Sequence, residues 1–392
     1  MKYNFDEVLD RSKLSTMKWE AQMKRKNDDS LLCFGTADMD FKSAQPIIDA
    51  IQKVVDVGHF GYPYKRQSYY DAIIGWFKRR CNWEIRQEWI ANSLSIYPAF
   101  QSFIDGLTEV GDEVIIQTPV HFVFEEIIHA NGRITVENPL QIKDGKYIFN
   151  IEDFKAKISP KTKLLILCNP QNPVGRVWTR EELTEIANIC LQHGIVILSD
   201  EVYMGLTYEG YTHIPIASIS KEVSLNTITL ASPSKSFNVT GLKHSLVITE
   251  NQKFQEIYQN ELLKNDQHFG ESIFGHVATE AAFAHCDEWI EQLMTYVEGN
   301  YHTVYEFMKI NLPEVKVYKP ESTYFVWLDF NFLGMSDSEL TSFFEDQART
   351  IVNQGYSLGT GGSGFIRINI GCPKQILEQG LQRIKNAYDQ LK

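Results

Sequence analysis

The chain has 392 residues, 43% of them hydrophobic and 22% charged, an ordinary globular make-up with length enough for two domains. Its formal charge of -12 argues against a nucleic-acid surface, and the basic run Lys78-Arg79-Arg80 reads as a solvated helix face. The six cysteines show neither a CxxC pair nor metal spacing, no run approaches the ~20 apolar residues of a membrane span, and the N-terminus carries no apolar leader, so reduced buried thiols and a cytoplasmic address are expected.

Ser95-Ile96-Tyr97-Pro98-Ala99 precedes Phe100, Phe103, Ile104 and Leu107 at helical spacing, which predicts a helix with Pro98 as its first residue. Such a start offers free N–H groups to an anion through the backbones of Ile96 and Tyr97. Between residues 95 and 250 short apolar runs alternate with amphipathic stretches, the sign of an α/β fold with a mostly parallel sheet flanked by helices. The expected strands are 113–117, 133–136, 163–168, 195–199, 227–231 and 245–249. After 163–168 comes the turn Asn169-Pro170-Gln171-Asn172-Pro173-Val174-Gly175, then a capping box of Thr179 with Glu182, a helix, and Gly194 as its stop. Beyond about residue 285, a long amphipathic helix over 288–309 and the alternating segments 324–330 and 364–370 predict a smaller α+β domain, joined by the N-terminal segment.

In open α/β sheets ligands bind at the carboxyl ends of the strands, and the polar signatures fall there. One strand runs into Ser199-Asp200-Glu201-Val202-Tyr203, and some thirty residues later comes Ser232-Pro233-Ser234-Lys235-Ser236-Phe237-Asn238. A pyridoxal phosphate (PLP) site needs this order: Lys235 can hold the aldehyde as a Schiff base, and Asp200 can keep the pyridine nitrogen protonated. A helix N-cap is the competing reading for Asp200, and a solvated surface charge is the competing reading for Lys235 taken alone. Tyr203 and Asn172 could each donate to the cofactor's phenolic oxygen, against plainer readings as a core tyrosine and a turn former beside Pro173. Ser232 and Lys243 could complete a phosphate cradle begun by Ile96 and Tyr97. Arg367 is the candidate fork for a substrate α-carboxylate, with an ordinary ion pair as the alternative. His121, after the strand 113–117, could stack on the pyridine ring or be a buried structural histidine.

Two further motifs lack their context. Gly359-Thr360-Gly361-Gly362-Ser363-Gly364 fits GxGxxG but precedes a strand instead of linking strand to helix, and Ser232-x-x-Lys235 lacks the SDN and KTG companions of penicillin-binding enzymes.

With these residues assembled, the chain resembles fold-type I PLP enzymes of the aminotransferase superfamily, and within them the cystathionine β-lyase-like MalY/PatB group. The resemblance spans nearly the whole chain. It rests on Ala37-Asp38-Met39-Asp40-Phe41, Phe60-Gly61-Tyr62, Cys168-Asn169-Pro170-Gln171-Asn172-Pro173 with Gly175, Ser199-Asp200-Glu201, Ser234-Lys235-Ser236-Phe237-Asn238, Thr323-Tyr324 with Trp327-Leu328-Asp329, and Gly364-Phe365-Ile366-Arg367 with Asn369. It implies Lys235 as the Schiff-base lysine, Asp200 at the pyridine nitrogen, Asn172 at the phenolic oxygen and Arg367 at the carboxylate. It also implies that Tyr62 reaches the phosphate of the neighbouring subunit's cofactor, making the active unit a homodimer. Its domain layout is a large domain over 46–285 and a small one from 1–45 with 286–392. Two positions depart from the lyase pattern: His121 stands where that group usually has a tyrosine stacked on the cofactor ring, and Val202-Tyr203 where it usually reads Ile-His, a change toward the aminotransferases. The implied activity is C–S β-elimination from cystathionine or another cysteine S-conjugate, releasing thiol, pyruvate and ammonia. Transamination is the alternative, and a PLP-binding regulatory protein the third reading.

Overall fold

The computed structural model describes residues 3–10, 14–268 and 270–391. Seven strands form the central sheet: Ile90–Ser93 (β1), Glu113–Ile116 (β2), Ile134–Glu137 (β3), Thr162–Cys168 (β4), Val196–Asp200 (β5), Thr227–Ala231 (β6) and Ser245–Ile248 (β7). Their order across the sheet is β1-β7-β6-β5-β4-β2-β3. β7 runs antiparallel to both neighbours, and the remaining pairs are parallel.

A strand shows alternate residues to opposite faces, so one buried on both sides must be apolar at every position. β4 obeys this rule: Leu164, Ile166 and Cys168 enter one hydrophobic cluster, and Leu165 and Leu167 enter the other. β2 divides the same way, with Val114 and Ile116 on one side and Ile115 on the other. The helix Arg180–His193 carries the expected capping box of Thr179 and Glu182 and closes at Gly194, whose φ is 65°.

The six expected strands are all present, with ends displaced by at most one residue. The seventh, β1, was not expected. It is four residues long, half of it is Asn92-Ser93, and it pairs only with β7 at the sheet edge, so it lacks the continuous apolar run of the central strands. The helix Ile96–Leu107 also begins two residues earlier than expected, which makes Pro98 its third residue. A proline costs nothing there, because the first-turn N–H groups have no intrahelical acceptor.

The helix Asp287–Asn311 leads into an antiparallel sheet of Lys316–Tyr318 (β8), Phe325–Asp329 (β9), Asn353–Gln354 (β10) and Phe365–Asn369 (β11), in the order β8-β9-β11-β10. The N-terminal segment is stitched to this part: Leu32–Cys33 pairs in parallel with Thr350–Ile351, and Phe5 and Phe41 pack edge-on against Trp289 and Tyr296. The glycine-rich run 359–364 is a turn before β11. A Cβ on Gly362 would lie 2.0 Å from the Gly355 carbonyl oxygen, so close packing accounts for its glycine. The six cysteines are buried. Among the described residues no helix is long and apolar enough to cross a membrane.

Candidate active site

Register brings the polar strand ends together. Cys168 on β4 lies beside Asp200 on β5, and Asp200 beside Leu230 on β6, so the Asn172 turn, Asp200 and the Lys235 turn leave the sheet at one edge. Ser232 opens the short helix Pro233–Ser236: its hydroxyl accepts from the Ser234 N–H at 3.1 Å and donates to the His244 carbonyl at 2.8 Å. That cap fixes the turn carrying Lys235.

Lys235 points its amine at the loop 35–41, donating to the Ala37 carbonyl at 2.8 Å, and the Tyr324 hydroxyl donates to the same oxygen at 3.0 Å. Side chains hold the neighbouring carbonyls too. Arg367 donates to Gly35, Asn369 to Thr36 and Asp38, Lys18 to Asp38, and Asn238 to Met39 and Phe41. Asn238 also accepts from the Met39 N–H at 2.9 Å, so the residue three after Lys235 anchors the loop that Lys235 touches.

Arg367 sits on β11 opposite Trp327 and Asn353. Its guanidinium lies 4.0 Å from the centre of the Phe325 ring and donates to Asn172 Oδ1 at 2.8 Å. Its Nε is buried with no acceptor among the described residues. Lys235, Arg367, Tyr97 and His121 all line one cleft of about 860 Å³, with Asp38 and the loop 35–37 as part of its wall. His121 Nδ1 accepts from the Val123 N–H at 3.3 Å, which places the ring proton on Nε2, 3.5 Å from the Tyr97 hydroxyl.

Burial sets the electrostatics. It pulls the Lys235 amine down to about 8, helped by Arg367 and Lys243 and opposed by Asp38 and Asp200. It pushes the Asp200 carboxyl up to about 7, against the Val202 N–H and Lys235. Glu201 next door is committed to Ser199, His213 and the Ile216 N–H, whereas Asp200 accepts from the Val202 N–H and makes no ion pair among the described residues. His121 is pushed down to about 3 by burial, Arg367 and Lys235, so its ring is neutral. Burial also raises the Tyr97 and Tyr203 hydroxyls, and Arg367 opposes it at both.

The structure thus brings Lys235, Arg367, His121 and Tyr97 to one cleft, with Asn172 bonded to Arg367 and Tyr203 packed edge-on against Tyr324 and Phe325. Ile96 is buried at the start of its helix, whose Ser95 makes no side-chain cap, so the first-turn N–H groups stay available for an anion. Lys243 is exposed, in a left-handed conformation with φ 54°, and lies near enough to depress Lys235. Tyr62 stands apart: it is 83% exposed and lines a different cleft, with Tyr70 and Glu271. Asp38, Tyr324, Phe325 and Asn353 also build the site, and local sequence pattern does not single them out for it. Ala37-Asp38 and Tyr324 lay within motifs carrying the resemblance, but a backbone acceptor has no side-chain signature.

The family described as aminotransferase class I and II matches residues 36–384. The chain is 37% identical over 385 residues to cystathionine β-lyase PatB of Bacillus subtilis (strain 168), covering 98% of this chain and 99% of that protein. A PLP-bound protein from Clostridium difficile 630 superposes with TM-score 0.96 at 41% identity, over 98% of this chain and 100% of that one. Cystalysin from Treponema denticola, whose crystal structure contains pyridoxal 5'-phosphate, gives TM-score 0.96 at 31% identity over 100% of both chains. A lysine and a buried carboxylate at one edge of the central sheet, with an arginine fork reaching the lysine's cleft from the small sheet, in a chain aligned end to end with such proteins, place it in the class I and II aminotransferase family, in its cystathionine β-lyase-like MalY/PatB group.

Proposed function

We propose that the chain is a PLP-dependent C–S β-lyase that cleaves cystathionine or another cysteine S-conjugate to thiol, pyruvate and ammonia. The observation that carries this reading is the Arg367 Nε, a buried donor without an acceptor among the described residues, in the cleft that also holds the Lys235 amine. An α-carboxylate satisfies that donor and leaves Cα close to a nitrogen base.

The residues fit the cofactor. Lys235 would hold its aldehyde, Asp200 its ring nitrogen, Asn172 and Tyr203 its phenolic oxygen and His121 a ring face. The uncapped first turn at Ile96 and Tyr97, with Ser232 and Lys243, would hold its phosphate. An Asp200 raised to about 7 by burial is a carboxylate that gains from meeting a cationic N–H. Bound there, PLP supplies an electron sink for the pair left at the substrate Cα. The protein's own part is to grip the carboxylate through Arg367 and to take the Cα proton on the Lys235 nitrogen, whose neutral form is accessible near neutral pH. The exposure of Tyr62 outside this cleft supports its use at a neighbouring subunit's phosphate in a homodimer. We assign the protein to the cytoplasm.

PatB supports elimination over transamination, being a named cystathionine β-lyase matched along its length. The second reading, an aminotransferase, is favoured by Tyr203, which lies against the Tyr324–Phe325 wall below Arg367 where the lyase pattern has histidine. Incubation with L-cystathionine and no keto acid separates them. Pyruvate and free thiol are expected; conversion only when a keto acid is supplied overturns elimination.

A further inference from the structure

The cleft continues past the catalytic groups. From Asn353, opposite Arg367, its wall runs through Val352 and Ile351 to Glu345, and Arg25, Gln22, Met17 and Thr16 of the N-terminal segment also line it. At about 860 Å³ it is near the top of the ~300–1,000 Å³ range of small-molecule sites, far more than a small free amino acid fills.

Glu345 lies in the one π-helical turn among the described residues, Phe343–Gln347, a geometry that is rare and frequent at functional sites. Arg25 grips it bidentately, with Nη1 to Oε2 at 3.0 Å and Nη2 to Oε1 at 2.9 Å, and gives its Nε to Gln22 at 2.9 Å. Three of the five guanidinium N–H groups are thereby used and two remain, on a side chain 48% exposed. Lys26 binds Glu345 and Asp346 from the other side, so the cluster presents two cations and two anions with no net charge. Thr16 adds a buried hydroxyl without a partner among the described residues. An alkyl group placed here would strip water from these charges and return nothing. A group bearing both a carboxylate and an ammonium would replace that water on Arg25 and Glu345 together, while Met17 and Ile351 suit the methylenes leading to it.

We infer that Arg25 and Glu345, with Thr16 and Gln22, form the subsite for the far end of the substrate, and that this end is a second α-amino-carboxylate. The inference rests on the β-lyase reading and selects, among cysteine S-conjugates, thioethers that carry an amino acid on both sides of sulfur.

The test compares L-cystathionine, which has the distal amino-carboxylate, with S-ethyl-L-cysteine, which lacks it, by pyruvate release from the holoenzyme. Arg25→Ala is expected to raise KM for cystathionine roughly ten-fold or more at nearly unchanged kcat, and to leave S-ethyl-L-cysteine within about two-fold. Glu345→Gln should erode the same preference. Arg349→Ala is the control, because Arg349 makes a similar fork with Asp28 across the same seam, outside the cleft, and so reports any general loosening. Equal losses on both substrates, an unchanged preference, or reproduction of the effect by Arg349→Ala overturns the subsite. If the unaltered holoenzyme releases pyruvate from neither substrate, the β-lyase reading fails and takes the subsite with it, an outcome distinct from turnover without preference.

Discussion

Arg367 donates to Oδ1 of Asn172 at 2.8 Å across 195 residues of chain, joining the small antiparallel sheet to the turn that ends β4. The arginine proposed for the substrate carboxylate and the residue proposed for the cofactor's phenolic oxygen therefore share a bond. Asn172→Asp should put a carboxylate on Arg367 in competition with the substrate's own, raising KM for the amino acid about ten-fold or more, while kcat falls less. Asn172→Ala instead leaves a buried Nη1 without its acceptor, at a stability cost of about 1–3 kcal/mol in denaturant unfolding. An Asn172→Asp enzyme with unchanged KM would separate the pair functionally.

Lys235 carries the proton at Cα in the proposed reaction. Lys235→Ala should lower kcat by at least about 10²-fold and abolish the visible absorbance band of the holoenzyme, with the fold retained by circular dichroism. Retention of that band in the variant would show that another group holds the cofactor.

Two shifts of opposite kind make the cofactor-free protein's stability depend on pH. Asp200 rises from 3.8 to about 7, so between those values the folded chain binds more protons than the unfolded one, and stability falls as pH climbs through the window. Lys235 drops from 10.5 to about 8, so from about 8 to 10.5 the unfolded chain binds more protons and stability rises with pH. Chemical denaturation of Asp200→Asn across pH 4 to 7 should lack the first slope, and Lys235→Met across pH 8 to 10.5 the second. Identical slopes in variant and parent would assign the dependence elsewhere.

His121, pushed down to about 3, does not titrate near neutrality. His121→Phe should therefore leave the shape of the kcat/KM–pH profile between pH 5 and 9 unchanged, whatever it does to the height. An acidic limb near 6.5 that disappears in the variant would show that the imidazole ionises during turnover.

Much of this could be read from one sequence, for identifiable reasons. The inner strands β2 and β4 carry apolar residues at both parities because both faces of the sheet are covered there, and the strand-end rule then points to Asn172, Asp200 and Lys235. β1 escaped because an edge strand ending in Asn92-Ser93 carries no such pattern. Contacts made by backbone carbonyls escaped for a different reason. Asn238 and Asn369 stand in recognisable motifs, yet that they bond Met39, Phe41, Thr36 and Asp38 depends on where a distant loop lies. The cation–π contact of Arg367 with Phe325 likewise follows from the pairing of Trp327 with Arg367, a register that local pattern does not determine.

The Ala37 carbonyl accepts from Lys235 and Tyr324 at once. Losing one donor usually costs more than the bond itself when it strands a buried acceptor. Here nothing is stranded: when the amine leaves for the proposed cofactor aldehyde, the tyrosine keeps the oxygen satisfied and the loop has no reason to relax. In the cofactor-free chain Lys235 is thus parked on a berth that stays occupied after it leaves, and the proposed cofactor can be loaded onto it without rebuilding the floor of the site.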